Sequence, residues 1–335
     1  MRTYLGAGLL ALAVVAGHPA DVRSNDTTAE YDSVQGASVD SEAVSATGES
    51  NYFQASGCGG ECGCCDDGRL FGVIARSDRC FSDFISPMTN PVFFEDPRTL
   101  TEARVIFLNH KTPPALGADN VQLAAMQLRA ALTDRLSFIA TKDGFIFSQS
   151  PLLDDGWADV AAGLKYNLIH DCCSQTILSA GATYEIPIGS TRALQGNGAG
   201  EFNLFLTGGK QLGSCYHVVS AAGFRLPADD TAENQVFYWS GHLDRKIGCD
   251  WYAFVETNWY HYLKSGNAFQ LPVEGGDLFN LGSVGVAGND LVTGAFGFKR
   301  QLRDIDEIGV AWEFPLTDRR GLLDNRLTVD YIIRY

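Results

Sequence analysis

Ser240, His242 and Asp244 fall at i, i+2 and i+4 in the run Trp239-Ser-Gly-His-Leu-Asp244. Hydroxyl, imidazole and carboxylate are the parts of a nucleophilic triad. On a strand, however, same-face neighbours sit roughly 7 Å apart along the chain, which does not bring a hydroxyl onto an imidazole. No catalytic residue, and no enzyme, is expected from this set. Gly196-Asn-Gly198-Ala-Gly200 has the glycines of a phosphate loop. It leads into Glu201-Phe-Asn-Leu-Phe-Leu, a strand, where a helix N-terminus would be required. It reads as a flexible outer loop.

The nine cysteines carry the more specific chemistry. Cys58, Cys62, Cys64, Cys65 and Cys80 lie in the first hundred residues; Cys172, Cys173, Cys215 and Cys249 lie in or beside short turns. All nine are disulfide candidates in an oxidising compartment. The CxxxCxCC cluster offers thiolates to zinc as well, but lacks the paired CxxC knuckles of a zinc signature, so no metal site and no cofactor are assigned. An odd total leaves at least one thiol outside an intramolecular bridge.

Composition limits the partners. The chain has 335 residues, 40 Asp+Glu against 25 Lys+Arg, and a net charge of -15. No basic footprint exists for nucleic acid. Residues 1–20 begin Met-Arg and continue into Leu5-Gly-Ala-Gly-Leu-Leu-Ala-Leu-Ala-Val-Val-Ala-Gly17, the pattern of a secretory signal peptide. Residues 21–57 are small, polar and acidic, and are expected to be disordered. Residues 58–100 are Cys-rich, apolar in patches and broken by Pro87, Pro91 and Pro97. They are expected to form a periplasmic cap or plug.

From Thr101 the residues alternate between apolar and polar. Period-two alternation gives each strand one apolar and one polar face. In 157–169, Ala158, Val160, Ala162, Leu164, Tyr166 and Leu168 share the apolar face; Asp159, Lys165 and Asn167 share the other. Twelve such runs are expected: 101–110, 120–132, 136–148, 157–169, 176–187, 201–211, 215–226, 235–244, 250–263, 290–299, 306–315 and 325–335. They are longer than globular strands, which average about five or six residues, and match the roughly nine to eleven of a tilted membrane strand. Short and long connections alternate between them, as periplasmic turns and outer loops do. The predicted fold is all-β: a transmembrane antiparallel up-and-down barrel of about 12 strands over 101–335, with a Cys-rich N-terminal extension. A soluble barrel shows the same alternation with its faces reversed; strand length, loop asymmetry and the terminal aromatic favour the membrane.

Tyr335 closes an alternating strand, and the segment 101–335 resembles bacterial outer-membrane β-barrels in this terminal aromatic. GWADVAAGLKYNL, EFNLFLTGG and GVAWEFPLTDRRGLLDNRLTVDYIIRY are similar to outer-membrane transporters of the phenol-degradation MetA-pathway type. The resemblance implies the cell outer membrane, its lipid and the barrel-assembly machinery, met through the C-terminal strand, as location and partners.

On the membrane reading the polar face lines the lumen. The candidates are Glu102, Arg104, Arg129, Asp159, Lys165, Glu185, Glu201, His217, Arg225, His242, Asp244, Glu256, Glu313, Asp330 and Arg334. Charges in a narrow lumen must pair or meet water. They either line a channel for small polar or aromatic solutes or cross-link a structural barrel that has no open pore and anchors the N-terminal segment. Outer loops hold Asp154-Asp155, Asp229-Asp230, Glu233, Glu274 and Asp277, an acidic mouth. Neighbouring short turns lie roughly 10 Å apart, beyond disulfide reach, so a bridge is expected between the 58–80 set and the rim cysteines.

Overall fold

The computed structural model describes residues 69–114, 119–150, 153–302 and 306–335. The expected signal peptide, the acidic segment, and Cys58, Cys62, Cys64 and Cys65 lie outside the described residues.

The fourteen strand segments are β1 Glu102–Lys111, β2 Asn120–Ala131, β3 Leu136–Lys142, β4 Phe145–Ser148, β5 Gly156–Trp157, β6 Val160–Asp171, β7 Thr176–Ile186, β8 Glu201–Leu212, β9 Tyr216–Pro227, β10 Gln235–Ile247, β11 Trp251–Lys264, β12 Asp290–Leu302, β13 Asp306–Pro315 and β14 Asn325–Arg334. Segments β3 and β4 both pair with β2, one beyond the other, and β5 and β6 continue one another in the same way. Counting each of these pairs as one barrel strand gives a closed antiparallel barrel of twelve. The seam runs from Glu102↔Arg334 to Lys111↔Asn325 between β1 and β14. Apart from this closing seam every neighbour is the next barrel strand in sequence, so the barrel is up-and-down, with no edge left to solvent.

The side chains now have directions. Val105, Leu164, Leu204, Val255, Phe296 and Val310 all point outward and are exposed. An apolar belt of this extent around a whole circumference belongs to lipid, not water. The inner face is almost entirely buried and mixed: charged and polar side chains share it with apolar ones such as Ile106, Leu108, Ile177 and Val219. Trp157, Tyr166, Tyr216, Trp251 and Tyr335 are exposed outward aromatics, as interfacial girdles require.

Two local breaks correct the alternation reading. Ala158, expected on the lipid face, is buried. It sits between β5 and β6, where its N–H donates to Gly144 O at 2.9 Å across the matching break in the neighbouring strand. A register shift between Ala140 and Lys142 then turns Lys142 inward, although strict alternation places it outside.

The interior is filled from both ends. Residues 77–100 start beside the short turns, where Ser77 N–H donates to Tyr335 O at 2.7 Å. They run inward, reverse at Asn90, and return to Thr101 at the same rim. Asn90 has φ of 51°, a conformation its residue type tolerates. Its carbonyl accepts from Phe93 N–H at 3.1 Å and Phe94 N–H at 2.8 Å. Arg98 ties the two legs together: Nη1 donates to Phe84 O at 2.7 Å, and Nη2 to Asp96 Oδ2 at 2.7 Å and Ser86 Oγ at 3.1 Å. From the opposite end the long connection 265–289 folds inward, burying Leu278, Phe279, Leu281 and Val286. The two fillings meet in one apolar cluster, where Val92 and Phe93 join Tyr238, Tyr262 and Val286.

Candidate functional site

All of the lumen candidates are buried on the inner face. Their partners divide them by depth. Near the short turns, Arg129 donates to Glu102 Oε1 at 3.0 Å and to Glu95 Oε2 at 2.6 Å. Arg334 Nε donates to Glu102 Oε2 at 2.8 Å, Nη2 to Ser86 Oγ at 2.8 Å, and Nη1 to Glu307. Lys299 Nζ donates to Asp330 Oδ2 at 3.0 Å and Ser86 O at 2.9 Å. Arg104 pairs with the same Asp330 oxygen at 2.8 Å. Lys165 donates to Glu95 Oε1 at 2.8 Å and to Asp96 O. Strand alternation brings each of these wall residues inward, while Glu95, Asp96 and Ser86 come from the inner segment.

From beside the short turns inward, a chain of hydrogen bonds links adjacent strands. His217 Nδ1 lies 2.7 Å from Asp244 Oδ1; His242 Nε2 lies 3.1 Å from Asp244 Oδ2; His242 Nδ1 lies 2.7 Å from Glu256 Oε1. Each ring nitrogen of His242 thus faces a carboxylate. Glu256 ends the chain by accepting from Met88 N–H at 2.8 Å and Thr89 N–H at 2.7 Å. Ser240 Oγ donates to Asn258 Oδ1 at 2.7 Å and accepts from Asn90 Nδ2 at 3.0 Å. Its hydroxyl is therefore turned to Asn258 and the inner segment, not to His242.

Toward the outer end, Arg225 Nε donates to Glu201 Oε1 at 2.8 Å and its guanidinium stands 4.4 Å from the Phe93 ring centroid. Arg326 joins Glu313 at 2.6 Å to Asp277 at 2.8 Å. Lys142 pairs with Glu185 at 2.7 Å and stands 3.9 Å from Asp159, which accepts from Gly189 and Gly196 N–H at 2.8 and 2.9 Å. The acidic mouth is thus smaller than its sequence suggests. Glu233, Glu274 and Asp277 are turned inward, and Glu274 takes Arg319 at 3.1 Å. Burial, then the nearby Glu201 and Glu185 carboxylates, push the Glu233 carboxyl up to about 8.

Wall and inner segment are shaped to each other. A Cβ on Gly309 would sit 2.5 Å from Met88 Sδ, and one on Gly209 would sit 3.0 Å from the Phe84 ring. Phe81, Phe84 and Phe94 pack on Ile177 and Val219 of the wall. A disulfide joins Cys80 of the segment to Cys172 of the rim, with Cα atoms 5.6 Å apart. This is a bridge between the early cysteines and the rim. Cys173, Cys215 and Cys249 stand at the same rim, and Cys215 and Cys249 are thiols.

Some functional residues are absent from the sequence candidates. Glu307 shares the inward alternation of Gly309, Ala311 and Glu313, so its period was legible. Lys142 was hidden by the register shift. Glu95, Asp96 and Arg98 lie in a segment without periodicity, and no local signal marks them.

No protein-family model matches the chain, and no curated protein does. Solved structures are similar to it. An outer membrane channel from Pseudomonas putida F1 superposes with a TM-score of 0.51 at 13% identity, covering 75% of this chain and 100% of that one. The NanC porin gives 0.47 at 8% identity, covering 70% and 99%. The KdgM porin in complex with disordered oligogalacturonate gives 0.44 at 10% identity, covering 70% and 99%. At such identity the first of these likenesses is one of fold.

Proposed function

We propose that the protein is an outer-membrane channel held closed by its own residues 77–100 from one end and 265–289 from the other, which passes small polar or aromatic solutes when both withdraw. One observation carries the reading: beside apolar patches such as Ile177 and Val219, the wall facing the segment carries many charged groups of its own. Arg104, Arg129, Lys165, Glu256, Lys299 and Arg334 point at it. If the segment leaves and the 265–289 connection swings outward, water can replace their hydrogen bonds, and a hydrated, mixed-charge lumen remains. A barrel of this size built only as a scaffold gains nothing from so many buried charges, which cost desolvation. Export through residues 1–20 and assembly through the C-terminal strand belong to the same proposal. Aromatic solutes are included because of the resemblance to MetA-pathway transporters.

A second reading is favoured by the filling from both ends: a structural barrel with no open pore, anchoring the N-terminal segment. Planar-bilayer recordings separate the two. Full-length protein is compared with Glu256→Ala, each with and without reductant. Discrete steps from the reduced variant, against a mostly silent oxidised wild type, support the channel. Silence from every sample, with the variant still shifting on unheated gels, leaves the scaffold. Vesicle swelling in arabinose and in benzoate then tests the solute class.

A further inference from the structure

Cys80, His170 and Cys172 meet where the inner segment enters the barrel. Their ligand atoms all lie within 4.8 Å of one another. Cys172 Sγ stands 3.8 Å from His170 Nδ1. The S···S edge of a tetrahedral site with zinc–sulfur bonds of about 2.3 Å is roughly 3.7 Å, and a sulfur–nitrogen edge is slightly shorter. His170 is also oriented. Its Nε2 is 2.7 Å from Asp78 Oδ2, so that nitrogen donates and Nδ1 keeps its lone pair toward the sulfurs. A carboxylate behind a histidine is the usual support of a metal-binding imidazole.

We propose that these three residues bind a thiophilic divalent cation of the zinc class once the Cys80–Cys172 disulfide is reduced, with Asp78 as a positioning residue. Two thiolates and an imidazole form a donor set suited to such an ion, and a water completes four-coordination. Access is directly from solvent at the rim, where Cys172 is exposed and Cys80 and His170 are partly so. The chemistry needs a reductant, either a dithiol or a phosphine. Two electrons and two protons convert the disulfide to two thiols; a phosphine becomes its oxide, with water supplying oxygen and protons. Zinc then displaces the two thiol protons and forms two Zn–S bonds. The cation and the disulfide join the same elements, so either one pins residues 77–100 to the rim.

The test uses the full chain in detergent micelles with Cys58, Cys62, Cys64, Cys65, Cys173, Cys215 and Cys249 each changed to Ser. Cobalt(II) is the probe, followed by displacement with zinc. The phosphine-reduced protein is expected to take one cobalt per chain, with tetrahedral d–d bands and a charge-transfer band for two thiolates. The oxidised protein is expected to take none. His170→Ala should weaken zinc about 100-fold, and Asp78→Asn about 10–100-fold. Equal binding by oxidised and reduced protein, no tetrahedral spectrum, or an unchanged affinity in His170→Ala each overturns the site. If the seven-serine variant does not fold, zinc is measured on the reduced wild-type cysteine set. There Cys80→Ser must lower the zinc bound per chain, and no change overturns the proposal.

Discussion

Glu256 on the barrel wall accepts hydrogen bonds from both the backbone N–H and the side-chain hydroxyl of Thr89 on the inner segment. The residues are 167 apart in sequence. Removing Glu256 strips the acceptor from the Met88 and Thr89 N–H groups and leaves the Thr89 hydroxyl its contact with Asn258 Nδ2 at 3.0 Å, and His242 loses one of its two carboxylates as well. Glu256→Ala is expected to cost about 3–5 kcal/mol, the usual penalty for stripping one side of a buried ionic network. Glu256→Gln keeps an acceptor and is expected to cost about 1–3 kcal/mol. Urea unfolding in lipid vesicles, followed by tryptophan fluorescence, measures both. An alanine cost under about 0.5 kcal/mol would mean that the contact does not hold the segment.

Leu164 and Phe296 face outward on the lipid side. Arginine at either is expected to cost roughly 2–4 kcal/mol if it lies near the bilayer midplane. The turn residue Asp134 is a suitable control, and Asp134→Arg should change stability by no more than about 0.5 kcal/mol. Asn167 and Thr328 are poor controls, although both face inward, because they are buried against a filled interior rather than against water. Equal costs at Leu164 and Asp134 would contradict the outward apolar belt.

Gly309 leaves the space that Met88 occupies. Gly309→Val should crowd the segment and cost about 1–3 kcal/mol. Shortening the opposite side chain relieves the Met88 contact, though not the approach to Lys299 Cε and Asp330 Oδ1, so Gly309→Val with Met88→Ala should be less destabilised than the sum of the single changes. A double-mutant cycle in the same unfolding assay reads the coupling. Strict additivity would show that the two residues do not touch.

Glu233 gives a pH dependence with a definite sign. Its folded carboxyl is raised to about 8 from an ordinary value of 4.5. Above pH 4.5 the unfolded chain releases this proton while the folded chain holds it, so the unfolded state binds fewer protons. Its contribution to stability is therefore full below pH 4.5 and falls as pH rises toward 8. Glu233→Gln keeps the neutral form at every pH. The variant should match the wild type near pH 4 and exceed it at pH 8.5, as read by unfolding midpoints. A difference of the same size at both pH values would contradict the burial of this group.

Much of the barrel was legible in the order of residues. Leu327, Val329, Tyr331 and Ile333 alternate with Arg326, Thr328, Asp330 and Arg334, and that period alone decides which side chains share a face. It also placed the lumen candidates, from Glu102 to Arg334, on one surface. Alternation is a property of a single strand, so it survives without knowledge of neighbours. What it cannot carry is direction, which became fixed when the closed sheet turned Leu164 outward and Lys165 inward. Departures of a single residue were equally hidden: Ala158 and Lys142 changed sides through a break and a shift set by pairing with adjacent strands. The inner segment was the least legible part. Glu95 and Asp96 owe their positions to the wall residues Arg129 and Lys165, partners as much as 70 residues away. A chain without periodicity is placed by whatever wall it meets, and only the assembled barrel supplies that wall.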